Sequence, residues 1–170
     1  MFGLTKKDIS DSVVFYFLNI ENYSKEFIQL MDSEICKIWN GDEGQESDIT
    51  IVKLQIKNFI KNKSDKQKHG IVAEFICHLF LRSIDYKQHF LFQILEEASL
   101  KKGFDGLYKK DEEMWLFESK STHNNNTSHE IKINEAYTDL KAKIEYINPD
   151  TGYNPWRNAY NHANSRSVHY

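Results

Sequence analysis

At 170 residues the chain is long enough for one domain with a real core and too short to expect two. Hydrophobic residues make up 40% of it and aromatic residues 14%, which excludes a disordered chain. A formal charge of only −3 excludes attachment to nucleic acid by bulk electrostatics, so polyanion binding must come from local lysine clusters or from a metal at the site.

Residues 1–66 read as a mostly helical leading segment, followed over 67–170 by the core of one compact domain. The apolar run Val13-Val14-Phe15-Tyr16-Phe17-Leu18 is far short of the roughly 20 residues that span a bilayer. It also follows Asp8 and Asp11 and lacks a small-residue cleavage site, so no membrane association is expected and the location should be cytoplasmic. Phe27, Leu30, Met31, Ile35 and Ile38 recur at helical spacing up to a stop at Gly41-Asp42-Glu43-Gly44. From Ile49 to Ile60 both periods fit, Val52, Ile56, Phe59 and Ile60 a helix and Val52, Leu54 and Ile56 a strand; the helix is the better match. Lys57, Lys61, Lys63, Lys66 and Lys68 then form either a solvated linker or a phosphate-contacting loop.

The stretch from Gly70 to Leu81 is apolar nearly all round and predicts a buried helix. Glu74 is its only acid, and a buried carboxylate needs a partner: His78 one turn on, or a metal site. Cys36 and Cys77 have no metal-ligand spacing and read as buried free thiols of a reducing compartment. Phe90-Leu91-Phe92-Gln93-Ile94-Leu95 predicts a strand covered on both faces.

Two further strands follow, Gly103-Phe104-Asp105-Gly106-Leu107-Tyr108 and Met114-Trp115-Leu116-Phe117-Glu118-Ser119-Lys120, joined as a hairpin. Alternation sends Leu116, Glu118 and Lys120 to one face and Trp115, Phe117 and Ser119 to the other. A loop of two or four residues centred on Asp111-Glu112 sets Leu107 opposite Leu116 and Asp105 opposite Glu118. Asp-Glu lacks the Gly or Asn of a two-residue type I′ turn, which favours the four-residue loop. Carboxylates facing each other at about 4.5–5.5 Å between Cβ atoms repel unless a cation lies between them. A three-residue loop would send them to opposite faces. Beyond Lys120 an Asn-rich loop leads into a helix over about 128–146, Asp150-Thr151-Gly152 makes a turn, and Asn154 caps a last helix whose first residue is Pro155.

A buried helix bearing Glu74, a strand with Asp105 in Gly-Phe-Asp-Gly, a hairpin, a strand ending in Glu118-Ser119-Lys120 and then a helix together resemble the core of the PD-(D/E)XK nuclease superfamily. The wording of the Asp105 and Glu118 segments is also similar to nuclease subunits of Hachiman-type antiphage systems, which act beside a helicase. The likeness covers roughly residues 70–147. It implies an α/β (α+β) fold with a restriction-endonuclease-like core, a central mixed sheet flanked by helices, behind the helical leading segment. That core has a fourth strand, for which only Ser165–Tyr170 remains, so either the strand is short or the chain is a fragment.

The implied activity is hydrolysis of phosphodiester bonds, with DNA favoured over RNA as the nucleic acid and with a helicase as partner protein. Asp105, Glu118 and the Ser119 carbonyl would ligate Mg²⁺ or Mn²⁺ with several waters. Lys120 would orient or deprotonate the attacking water, or stabilise the phosphorane oxygens. Glu74 would complete the metal shell or hold Lys120, and Glu97 is its substitute. Lys101, Lys102, Lys109 and Lys110 flank the hairpin as phosphate contacts. The alternative is a catalytically silent module that positions nucleic acid for the helicase.

Overall fold

The computed structural model describes residues 3–41, 46–89, 104–122, 124, 126–146, 152, 154–157 and 161, and within them the chain is a mixed α+β protein. Strands Gly3–Ser10 (β1) and Val13–Asn19 (β2) pair as an antiparallel hairpin, Leu4 against Leu18 and Asp8 against Val14, with a bulge between Asp8 and Ser10. Residues 3–19, expected inside a mostly helical segment, are therefore β. Every side chain of Val13-Val14-Phe15-Tyr16-Phe17 is β-branched or aromatic, which crowds a helix and suits a pleated surface. The hairpin meets the helices where the Tyr16 ring packs 5.2 Å from that of Phe80.

The rest of the leading segment is helical as expected. Helix α1 (Lys25–Asn40) starts where the Ser24 hydroxyl accepts from Phe27 N at 3.2 Å, and ends at Gly41, whose φ of 85° an L side chain would resist. Helix α2 (Ile49–Lys61) is capped by Asp48, which accepts from Thr50 N at 2.7 Å. Helix α3 (Asp65–Ser83) opens on a reciprocal box between Ser64 and Gln67. The lysine-rich stretch is thus neither linker nor loop: α2 runs through Lys61 and α3 restarts at Asp65, leaving only Lys63 of the five lysines between helices. Phe27, Ile35, Cys36, Ile38 and Trp39 of α1, Val52 of α2 and Leu79 of α3 form the main core. Cys36 and Cys77 are free thiols; Cys36 is buried and Cys77 half-buried.

A second sheet positions the candidate residues Asp105, Glu118 and Lys120, which flank its strands. Lys87–Gln88 (β3), Gly106–Lys110 (β4) and Glu113–Phe117 (β5) form an antiparallel sheet in the order β3-β4-β5. The strand expected over Phe90–Leu95 lies outside the described residues, as does Glu97. Among the described residues the sheet has no parallel strand. Its faces are covered differently. Gly106, Tyr108 and Phe117 face α3, where the His78 ring stands 5.3 Å from Phe117 and 5.7 Å from Tyr108. Leu107 and Leu116 face the other way, packing with Phe104, Met114, Leu140 and Trp156. Leu140 belongs to helix α4 (His129–Glu145), which begins at a Ser128 cap close to the expected position. A helical turn over 155–157 is capped by Asn154, whose Oδ1 accepts from Arg157 N at 2.8 Å. The remainder of that expected helix lies outside the described residues. No described helix is long and apolar enough to cross a membrane.

Candidate active site

The hairpin fixes the site. Leu107 pairs with Leu116 and Gly106 with Phe117, which is the expected register. Its turn is shorter than expected: Lys110 pairs with Glu113, leaving the two-residue loop Asp111-Glu112 in place of the favoured four-residue loop. Asp111 makes this workable by adopting φ 53°, a left-handed conformation that aspartate tolerates better than most residues. At the other end the strands approach closely. A Cβ on Gly106 would lie 3.1 Å from both Phe117 Cδ1 and Tyr108 Cε2, so a side chain beside Asp105 would need both rings to shift.

Past Phe117 the chain leaves the ladder as Glu118-Ser119-Lys120, and Glu118 and Lys120, expected on one face, pair with each other and each with its own residue of α4. Lys120 Nζ lies 2.7 Å from Glu118 Oε1 and 2.5 Å from Asp139 Oδ2. Lys143, one turn beyond Asp139, places its Nζ 2.6 Å from Glu118 Oε2. The Glu118 side chain is 2% exposed, so this carboxylate is buried with an ammonium on each oxygen. Partial burial works against the charged form of Lys120, but hydrogen bonds to Asp139 and Glu118 outweigh it and hold the amine well above the ordinary lysine range. Lys120 in turn lowers the pKa of Asp139 through the same hydrogen bond.

Asp105 is engaged differently. Its Oδ2 accepts from Ser119 N at 2.7 Å and from Ser119 Oγ at 2.9 Å. The carboxylate also acts electrostatically on Cys77 and His78, which places it toward α3, whereas Glu118 is held toward α4. Repulsion between the two acids is therefore relieved by hydrogen bonds and ammonium groups of the chain itself. Glu74 Oε1 stands 3.7 Å from His78 Nε2, one of the two partners expected for it, and beyond hydrogen-bond range. His78 Nδ1 is hydrogen-bonded to the Tyr108 hydroxyl, tying α3 to β4. Burial pushes His78 down to about 4 and the Cys77 thiol up to about 11, so His78 is neutral and Cys77 unreactive near neutral pH.

Asp139 and Lys143, which the sequence did not single out, join the site through ion pairs. An acid and a lysine four apart on a helix are the commonest solvent-facing pattern, and only the docked helix shows them reaching the sheet. The flanking lysines divide. Lys110 donates to the Ile84 carbonyl at 3.0 Å and lies 4.8 Å over the Tyr86 ring, a packing role. Lys109 pairs at 3.4 Å with the exposed Glu112, and Lys101 and Lys102 lie outside the described residues.

Hard carboxylate oxygens suit a magnesium-like ion. Among the described residues both hydrogen bonds to Asp105 end on Oδ2, leaving Oδ1 for another ligand. On Glu118 Oε2 the Lys143 ammonium stands where a cation would. The residues fit a divalent ion in kind and in charge, but no three His, Cys, Asp or Glu among the described residues gather as a site, so Glu74, Asp105 and Glu118 do not form one cluster. A family model described as HamA matches residues 4–166. No curated protein and no solved structure matches the chain.

Proposed function

The chain belongs to the HamA family, a component of Hachiman-type antiphage systems, and from that premise we propose that it is a metal-dependent nuclease acting on DNA beside a helicase partner. A role in antiphage defence follows from the family itself. The nuclease, its restriction-endonuclease-like core, its cytoplasmic setting and its Mg²⁺ or Mn²⁺ are our reading of the site. One observation carries that reading: Glu118 and Lys120 leave the hairpin toward the same helix while Asp105 is tied to Ser119 between them.

In this reading Asp105, Glu118 and the Ser119 carbonyl would hold the ion, whose chemistry would be to activate water and offset charge on the phosphate. The chain's own residues do the rest. Ser119 fixes the Asp105 carboxylate with two bonds to one oxygen. Lys120, kept protonated by Glu118 and Asp139, acts as a cation for the developing negative charge rather than as a base. His78 braces α3 against β4 through the Tyr108 hydroxyl.

The test is cleavage of plasmid and single-stranded DNA by the purified chain, alone and with its helicase, with Mg²⁺ or with chelator. A folded Lys120→Ala variant should lose at least about a hundredfold in rate. Unchanged cutting by that variant, or cutting that survives chelator, would remove this site from the chemistry. The double ammonium pairing of Glu118 favours a second reading, a silent scaffold that positions nucleic acid, which predicts DNA binding without metal-dependent cleavage.

A further inference from the structure

We infer that the corner between α2 and α3 is a contact for the nucleic-acid backbone, in which Lys57, Lys61 and Lys66 hold phosphates beside the strand end that carries Lys120. The inference rests on the proposed action on nucleic acid, not on the metal, and adds the surface along which the strand is held.

Three observations carry it. First, positive charge is concentrated there. From Lys57 to Lys68 five lysines stand against one acid, Asp65, in a chain whose formal charge is −3. The remainder of the chain is therefore net acidic, and a polyanion finds local attraction at this corner. Second, three of the lysines are set for an external partner. Lys57 and Lys61 lie one turn apart on the side of α2 turned away from the buried Val52, and both are exposed. Lys66 is exposed in the first turn of α3, and only Asn62-Lys63-Ser64 separate Lys61 from that helix. Among the described residues no carboxylate pairs with these three, whereas Lys53 pairs with Asp32 at 2.7 Å and Lys68 with Asp65 at 3.3 Å. Lys63 is occupied differently, its ammonium lying 4.6 Å over the Phe59 ring.

Third, the corner adjoins the candidate site. Gly70 and Cys77, four and eleven positions after Lys66, continue its stripe along α3. A Cβ on Gly70 would lie 3.7 Å from Oγ of Ser121, the residue after Lys120, and the charge of Asp105 acts on Cys77. The stripe therefore runs along the end of β5. Lys66 stands one turn outward from Gly70, about 6 Å along the axis. A strand with one phosphate at Lys120 thus has its neighbouring phosphates at Lys66 and then at Lys61 and Lys57.

The experiment is an anisotropy titration of labelled single-stranded and duplex DNA with the full chain, in chelator, over about 50–200 mM salt. Native protein is compared with a corner variant carrying Lys57→Gln, Lys61→Gln and Lys66→Gln. A control carries Lys6→Gln, Lys7→Gln and Lys25→Gln, the same charge change on exposed lysines of β1 and α1. The corner variant should bind at least about tenfold more weakly at the low salt, with a salt slope shallower by about 2–3, and the control should bind like native protein. In native protein DNA should slow acylation of Lys57, Lys61 and Lys66 several-fold, read by mass spectrometry, and leave Lys7 and Lys25 unchanged. That measurement decides the question on unaltered protein if the corner variant does not fold. Equal binding by native protein and the corner variant, or an equal loss in the control, overturns the inference while the nuclease reading stands. Native protein that binds no DNA overturns both, and binding to phosphatidylserine vesicles in its place would assign the corner to a lipid surface.

Discussion

Histidine 78 makes the stability of this chain depend on pH with a definite sign. Burial first, and then the positive charge of Arg82, depress it to about 4 from an ordinary 6.5, against the opposing pull of Asp105. The unfolded chain takes up a proton near pH 6.5 that the native chain refuses until about pH 4. Over that window the unfolded state holds more protons, so stability is fully present above it and is lost as pH falls through it. One proton corresponds to about 1.4 kcal/mol per pH unit, hence up to about 3 kcal/mol across the window. For a chain of this size that is roughly 6–12 °C in Tm. The assay is urea unfolding of native protein and His78→Gln at intervals from about pH 7.5 to about pH 4. The quantity compared is the slope of stability against pH, so any pH-independent cost of the substitution cancels. Native protein should show the steeper fall. Equal slopes would refute the claim that a neutral, buried His78 is part of the native state.

Other outcomes follow from the same contacts. Gly106→Ala should destabilise by about 1–3 kcal/mol, because its methyl meets Phe117 and Tyr108 at 3.1 Å; thermal melting checks this. Lys110→Ala should cost about 1 kcal/mol through loss of the Ile84 carbonyl bond, yet change DNA affinity less than Lys109→Ala in the same binding titration. Asp139→Asn should slow metal-dependent cleavage about tenfold, since Asp139 positions Lys120, and should also lower Tm slightly by loosening α4. An unaltered rate in that variant would show that Lys120 is positioned by Glu118 alone.

What could be read from residues alone was local and periodic. The register of β4 on β5 followed from alternation and an even loop, and the Asn154 cap from its side chain. The loop length did not, because a left-handed Asp111 is available to aspartate but not announced by it. The hairpin at residues 3–19 was hidden because apolar residues on both faces of a strand give no period-two signal. Most of the site's electrostatics were invisible for another reason. Lys143 and Glu118 are 25 positions apart, and no local pattern joins them.

Helix α4 has no buried residue of its own. Among the described residues Leu140 alone joins it to the small apolar cluster, and its ion pairs toward the sheet are made by Asp139 and Lys143. Its mooring is therefore more ionic than that of the apolar α1-α2-α3 core, and Asp139, half exposed, is the end that dissolved salt reaches first. Ionic strength becomes a handle on one wall of the protein. Raising it should make the segment around α4 nick under brief proteolysis while the bundle at the other side of the sheet stays intact.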